Sequence, residues 1–513
     1  MRPAAQLVLR CAIVCHRWLG VALFPFVILW FASGIVMMYW GFPEVSQRER
    51  FARAPRIEPA AIRVSPESAY RKLRWAGTPE SAEIGMLDGR PVYRFRMGNH
   101  RGIVFADSGS ILGEVTQDIA LRLAARWTGQ AAKRAQFEGA MREPDQWTVS
   151  GELRAMRPLF KFAWPDGEQV YVSAQNGEVV QYTTRETRLA AYFGAIPHWL
   201  YWTPLRKNRR QWYRVVLWSS SGLVCVGLLG LLVGAWMYSP NARYRYRGMP
   251  SYIPYEGPKR WHMISGVTFG VLICTWAFSG LLSMEPFEWL SGDQEEAGKI
   301  DGALRGGALR LEAFAAKSPV TAIKQAGIEG KRIDFVSFDG LPYYLIRSSA
   351  GRSRIVPMQG EAMDQFDRGA ILRIAREACR PATVEEARVV SHYDAYYLDR
   401  HGQHPLPAFL VRLNDANRSW FYIDLKTAQL VEAYDRMSRW NRWLYHGLHS
   451  WNFPWLYNHR PAWDAMMIVL LAGGLALGVT AVVLAFQVVG RSWRSAARNG
   501  RKILTNEQTS DLS

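Results

Sequence analysis

The sequence predicts an α+β integral membrane protein with four transmembrane helices in two tandem repeats, each repeat enclosing an α+β domain. Three observations carry this. First, the chain has 513 residues, 49% of them hydrophobic, and a mean hydropathy of -0.12, an average ordinary for a soluble protein. Four stretches are nonetheless long and apolar enough to span a bilayer. Second, His16, Gly20, Val21, Trp30, Ser33, Gly34 and Met38 recur as His262, Gly266, Val267, Trp276, Ser279, Gly280 and Met284, at a constant offset of 246. Third, His198, Leu205, Arg209 and Trp212 recur as His449, Leu456, Arg460 and Trp463, at an offset of 251. Self-similarity at a fixed spacing marks a repeated architecture.

Taken in order, residues 1–40 hold the N-terminus and the first helix, whose apolar span runs over about 11–40. That run is too long for a secretion signal and no small-x-small cleavage site follows it, so it is expected to stay as an anchor. Residues 41–214 form a polar segment large enough to bury a core of its own. Within it, Ser65 caps a predicted helix over 66–74, residues 91–95 and 102–105 read as strands, and Asp107-Ser108-Gly109-Ser110 reads as a turn. Helical spacing returns over 118–126. The second helix is placed at 215–238, a loop at 239–262, the third helix at 263–284, a second domain at 285–461, the fourth helix at 462–489 and a tail at 490–513. Tyr171-Val172 and 177–180 are answered by Tyr422-Ile423 and 428–431, again at 251, so the enclosed domain belongs to the repeat.

Charge sets the expected orientation. Arg2, Arg10 and Arg17 precede the first span, Arg243, Arg245, Arg247, Lys259 and Arg260 fill the loop between spans two and three, and Arg491, Arg494, Arg498, Arg501 and Lys502 follow the fourth. Short basic flanks stay on the cytoplasmic side. Both termini are therefore expected in the cytoplasm and both large domains outside, in the periplasm of a bacterial inner membrane. Arg206, Lys207, Arg209 and Arg210 lie against this rule, but long translocated domains escape it. The net charge of +19 is spread over membrane flanks and exported surfaces, which points to headgroups and anionic ligands and away from nucleic acid. Of the five cysteines only Cys379 falls in an exported domain, so no disulfide framework exists there.

The run from Val92-Tyr93-Arg94-Phe95 through Asp107-Ser108-Gly109-Ser110-Ile111-Leu112-Gly113-Glu114-Val115 resembles a PepSY domain. Together with spans opening on His16-Arg17-Trp18-Leu19-Gly20 and closing on Ser33-Gly34, it resembles the PepSY-associated transmembrane family over nearly the whole chain. That family includes iron-regulated membrane proteins and haem-containing ferric-siderophore reductases. The resemblance implies periplasmic PepSY-like domains, haem b, and passage of electrons across the membrane to a ferric siderophore or another ferric chelate.

The histidines give that implication an address. His16 and His262 fall near the cytoplasmic ends of spans one and three, and His198 and His449 fall on the outer side before spans two and four. Neutral imidazole is a good axial ligand for haem iron, and an ionisable group in a bilayer needs a partner. Two haem b groups are expected, one between His16 and His262 and one between His198 and His449. His446, one turn before His449, is a further candidate, with Ala195 at its counterpart. Arg209 and Arg460 are matched copies suited to propionates or chelate oxygens, or equally to lipid headgroups. His100, His392, His401 and His404 read as surface residues of the enclosed domains. No dinucleotide loop, phosphate loop, zinc motif or nucleophile elbow is present, so electrons are expected from quinol or a separate cytoplasmic flavoprotein. Two rivals stand beside this reading. One is a non-enzymatic PepSY membrane protein that binds or regulates a periplasmic partner; the other is a transporter, which the parallel repeats and only four spans disfavour.

Overall fold

Where no water can reach the backbone, its hydrogen bonds must close within the chain, and the apolar stretches accordingly form helices. In the computed structural model, four helices are long and apolar enough to cross a membrane: Pro3–Met37, Arg209–Met237, Gly257–Leu282 and the Arg460–Arg494 part of a helix that runs Arg460–Ser510. The structure describes residues 3–287, 294–349, 351–399, 402 and 404–510. Arg2 and His401, named above, lie outside them, as do the side chains of Arg498, Arg501 and Lys502. Each helix starts before its apolar stretch does, because capping and proline placement set a helix start. The Asn208 side chain accepts from the Gln211 backbone N–H, and a proline opens the Gly257–Leu282 helix.

These helices belong to a unit made of residues 1–42, 189–286 and 441–513. Its core joins Phe31, Leu223, Trp276, Trp463, Met467 and Leu471. Phe31 and Trp276 meet at 5.2 Å between ring centres. Gly474 permits this closeness, since a methyl group there would overlap the Phe31 ring. Ala195–Trp199 and Leu448–Ser450 are short helices lying just before the second and fourth spanning helices.

A second unit comprises residues 43–188 and 287–440. Its first part carries β1 (Ser81–Leu87), β2 (Arg90–Met97), β3 (His100–Phe105), β4 (Gln136–Met141), β5 (Leu159–Ala163), β6 (Gln169–Ser173) and β7 (Val179–Thr183). The short strands β8 (Tyr244–Tyr246) and β9 (Met249–Ser251) belong to the helical unit and pair with each other. The rest of the second unit carries β10 (Arg332–Phe338), β11 (Leu341–Arg347), β12 (Ser353–Pro357), β13 (Val384–Val390), β14 (Ala408–Leu413), β15 (Trp420–Asp424) and β16 (Leu430–Tyr434). The strands predicted at 91–95 and 102–105 lie within β2 and β3. The predicted helices appear as Pro66–Lys72, capped by Ser65, and Gln117–Thr128.

Both polar segments of the sequence contribute to one six-stranded antiparallel sheet, ordered β12-β11-β10-β1-β2-β3. The seam is β1 against β10, with Glu83 opposite Asp334 and Ile84 opposite Ile333. A single core crosses it, joining Ile84, Tyr93 and Val104 to Ile333, Phe335 and Tyr344. Pairing two edges removes exposed backbone donors and acceptors that either segment alone would leave open. Two four-stranded sheets, β4-β5-β6-β7 and β13-β14-β15-β16, complete the unit.

Ile333 is fully buried on the seam. Ile333→Ala is expected to cost about 3 kcal/mol, read as a lower thermal midpoint of the full chain by circular dichroism. An unchanged midpoint would show that the seam does not hold the unit together.

Candidate functional site

Two pairs of imidazoles sit inside the helical unit, and every spanning helix contributes to them. His16 and His262, from the first and third spanning helices, have ring centres 6.2 Å apart with planes at 46°. His198, on the helix Ala195–Trp199, and His449, on the helix Leu448–Ser450, have ring centres 6.0 Å apart with planes at 73°.

In all four rings Nδ1 has a hydrogen-bond partner, and those partners define the tautomer. His16 Nδ1–H donates to the Val226 carbonyl at 3.0 Å, an acceptor only. His262 Nδ1 lies 3.0 Å from Thr480 Oγ1, whose own hydrogen goes to the Leu477 carbonyl at 2.7 Å. The hydroxyl is thus left to accept, and His262 Nδ1–H donates to it. The same logic holds in the second pair. Ser33 Oγ donates to the Trp30 carbonyl at 3.2 Å and accepts from His198 Nδ1–H at 3.0 Å. Ser279 Oγ donates to the Trp276 carbonyl at 3.0 Å and accepts from His449 Nδ1–H at 3.0 Å. Each ring then offers Nε2 as a lone pair, and a partner on the opposite nitrogen is what orients a ligating imidazole.

The backbone makes room for this. Gly230 follows Val226 by one helical turn, and a Cβ there would lie 2.7 Å from His16 Cε1. Any larger residue would push the ring off the Val226 carbonyl. Beside the His16 and His262 rings lies a cavity of 310 Å³, lined also by Gly20, Gly266, Arg17 and Lys259. Gly20 and Gly266 stand one turn along from the two histidines, and a Cβ at Gly20 meets nothing within 4 Å.

What could such pairs hold? Among the described residues no group of three or more His, Cys, Asp or Glu side chains is placed to take a bare metal ion. Two imidazoles suit a metal whose remaining ligands arrive with it in a flat ring. With ring centres about 6 Å apart, His16 with His262, and His198 with His449, would each be close enough to hold one such metal between them. Arg17 and Lys259 would meet acidic groups on the rim of such a ring.

The other predicted residues are not members of the two pairs, though the Tyr445 ring lies against both His446 and His449. His446 is on a π-helical turn, Trp443–Gly447, with its ring 4.2 Å from that of Tyr445. Arg209 stands exposed at the first turn of its helix. Arg460 is ion-paired with Asp464 at 3.1 Å and covers the Trp463 ring. His404, read as a surface residue, is half-buried with Nε2 3.5 Å from Glu432. Ser33 and Ser279 stood in the 246-offset match without a role, whereas Thr480 and the Val226 carbonyl carry no sequence signal.

Histidine nitrogen NMR on the metal-free protein is expected to find His16, His198, His262 and His449 in the Nδ1–H tautomer, one such signal lost in each of H16A, H198A, H262A and H449A. Nε2–H tautomers at these positions would overturn the hydrogen-bond assignment. No family model and no curated protein matches this chain.

Proposed function

We propose that the chain is an inner-membrane haem-binding electron-transfer protein of the PepSY-associated transmembrane type, built as two tandem repeats. It would hold two haem b groups and reduce a ferric chelate, such as a ferric siderophore, on the periplasmic side. The observation that carries this reading is the pair of imidazole pairs at 6.2 and 6.0 Å with every Nδ1 hydrogen-bonded and every Nε2 left as a lone pair. The cavity beside the first pair and its Arg17 and Lys259 lining add support, since a propionate-bearing ring needs both volume and cations.

When bound, haem supplies a one-electron Fe(III)/Fe(II) couple. The rest falls to the chain. His16 and His262 would hold one group and His198 and His449 the other. The serine, threonine and carbonyl acceptors keep each Nδ1 proton in place, so the rings stay aligned and neutral while charge passes. His16 and Ser33 lie 17 positions apart on one helix, which separates the two pairs by about 25 Å, most of the apolar thickness of a bilayer. Electrons would enter at the His16 and His262 end from quinol or a cytoplasmic flavoprotein and leave at the other. A hard-oxygen chelate holds Fe(II) less well than Fe(III), so reduction would release the iron.

A reduced-minus-oxidised spectrum of the purified protein with haem quantitation tests this. Two b-type centres are expected. H16A and H262A should abolish the same one, H198A and H449A the other, and G230L should abolish the first alone. Electron paramagnetic resonance is expected to give two low-spin signals, the larger maximal g value coming from the more nearly perpendicular rings of His198 and His449. A colourless, folded protein would end the reading and favour a PepSY protein that only binds a partner.

A further inference from the structure

Both histidines of the second pair sit on short helices that are stopped abruptly. Leu200 ends Ala195–Trp199 with a φ of 53°, and Trp451 ends Leu448–Ser450 with a φ of 49°. Neither is glycine, so each left-handed turn costs on the order of 1 kcal/mol and persists only where neighbouring contacts enforce it. A helix stopped this way leaves its last carbonyls without intrahelical partners.

Indole N–H groups fill those vacancies. Trp212 Nε1–H donates to the Trp199 carbonyl at 2.8 Å, and Trp463 Nε1–H donates to the Ser450 carbonyl at 3.1 Å. Trp199 and Ser450 each directly follow a histidine of the pair. The two tryptophans are themselves counterparts at the 251 offset. They tie the end of each histidine-bearing helix to the spanning helix that follows it.

The two sides also differ in an indole bond. Trp276 Nε1–H also donates to the Leu448 carbonyl at 2.9 Å, directly before His449. Its counterpart at the 246 offset is Trp30, whose Nε1 is buried with no hydrogen-bond partner among the described residues. His449 is therefore held from both flanking carbonyls and His198 from one.

We propose that Trp212 and Trp463 are positioning residues that fix the imidazole planes of His198 and His449, and that His198 is the more weakly held of the two. This rests on the reading of that pair as haem ligands. Positioning contacts behind metal ligands commonly change metal affinity by 10–100-fold when removed.

The test uses the full-length haem-loaded protein with Trp212→Phe, Trp463→Phe and Trp276→Phe, each of which keeps a ring but removes the N–H. Haem loss to apomyoglobin and paramagnetic resonance are recorded for both centres, the outer one being assigned by its absence in H198A. Trp212→Phe is expected to shift the maximal g value of the outer signal and to speed haem loss from that centre roughly ten-fold. The signal assigned to His16 and His262 should not move. Trp463→Phe should do less, and Trp463→Phe combined with Trp276→Phe should match Trp212→Phe. An unchanged outer signal and unchanged haem loss in Trp212→Phe would overturn the inference alone, as would equal changes at both centres. A wild-type protein without haem would overturn it together with the reading beneath it.

Discussion

Everything in the helical unit is arranged around one requirement: an imidazole N–H surrounded by apolar side chains must have an acceptor. Leaving it unmet costs about 1–3 kcal/mol per ring, and four rings would consume a large part of a typical folding free energy. The solution is the same in kind at each ring and different in detail. One acceptor is a helix carbonyl, exposed because Gly230 has no side chain to cover it, and three are hydroxyls whose own hydrogens are already committed to carbonyls. Helix spacing, glycine placement and the start of each short helix follow from bringing those acceptors within 3 Å.

Much of this was readable in the residues. Apolar length marked the four helices, and constant offsets matched His16 to His262 and His198 to His449, the partners found in space. Hydrophobic runs located the helices but not their starts, because a start is decided by a capping side chain such as Asn208. The Val226 carbonyl was invisible for a different reason. Every residue has a carbonyl, and only the missing side chain one turn later makes this one available. Thr480 had no counterpart to draw attention to it. Arg209 and Arg460 are matched in sequence but differ in surroundings, the first side chain exposed and the second engaged with Asp464 and Trp463.

In the sheet-bearing unit the sequence signals were local and the decisive contact was not. Alternation marked β2 and a short apolar run marked β3, and the Asp88-Gly89 and Asp339-Gly340 turns, with positive φ at both residues, suit tight hairpins. Nothing in either segment announces that β1 will pair with β10, since an edge strand carries the same pattern whether its neighbour is water or another strand. The two polar segments consequently read as separate bodies, and the backbone joined them.

That seam has an arithmetic of its own. At the 251 offset, Glu83 and Asp334 are counterparts, and they face each other across β1 and β10. Two acids directly opposite repel, and Arg332 and Arg347 close on them from the same sheet. An edge that meets its own counterpart is what a symmetric dimer of half-length chains would present. With both edges in one polypeptide, their encounter is internal and independent of concentration. The same arrangement also frees each half to change alone. Ala195 can stay small where its counterpart is His446, and Trp30 can lack the bond that Trp276 makes. A homodimer must be identical on both sides of its two-fold axis, whereas within one chain the two counterparts can carry different residues.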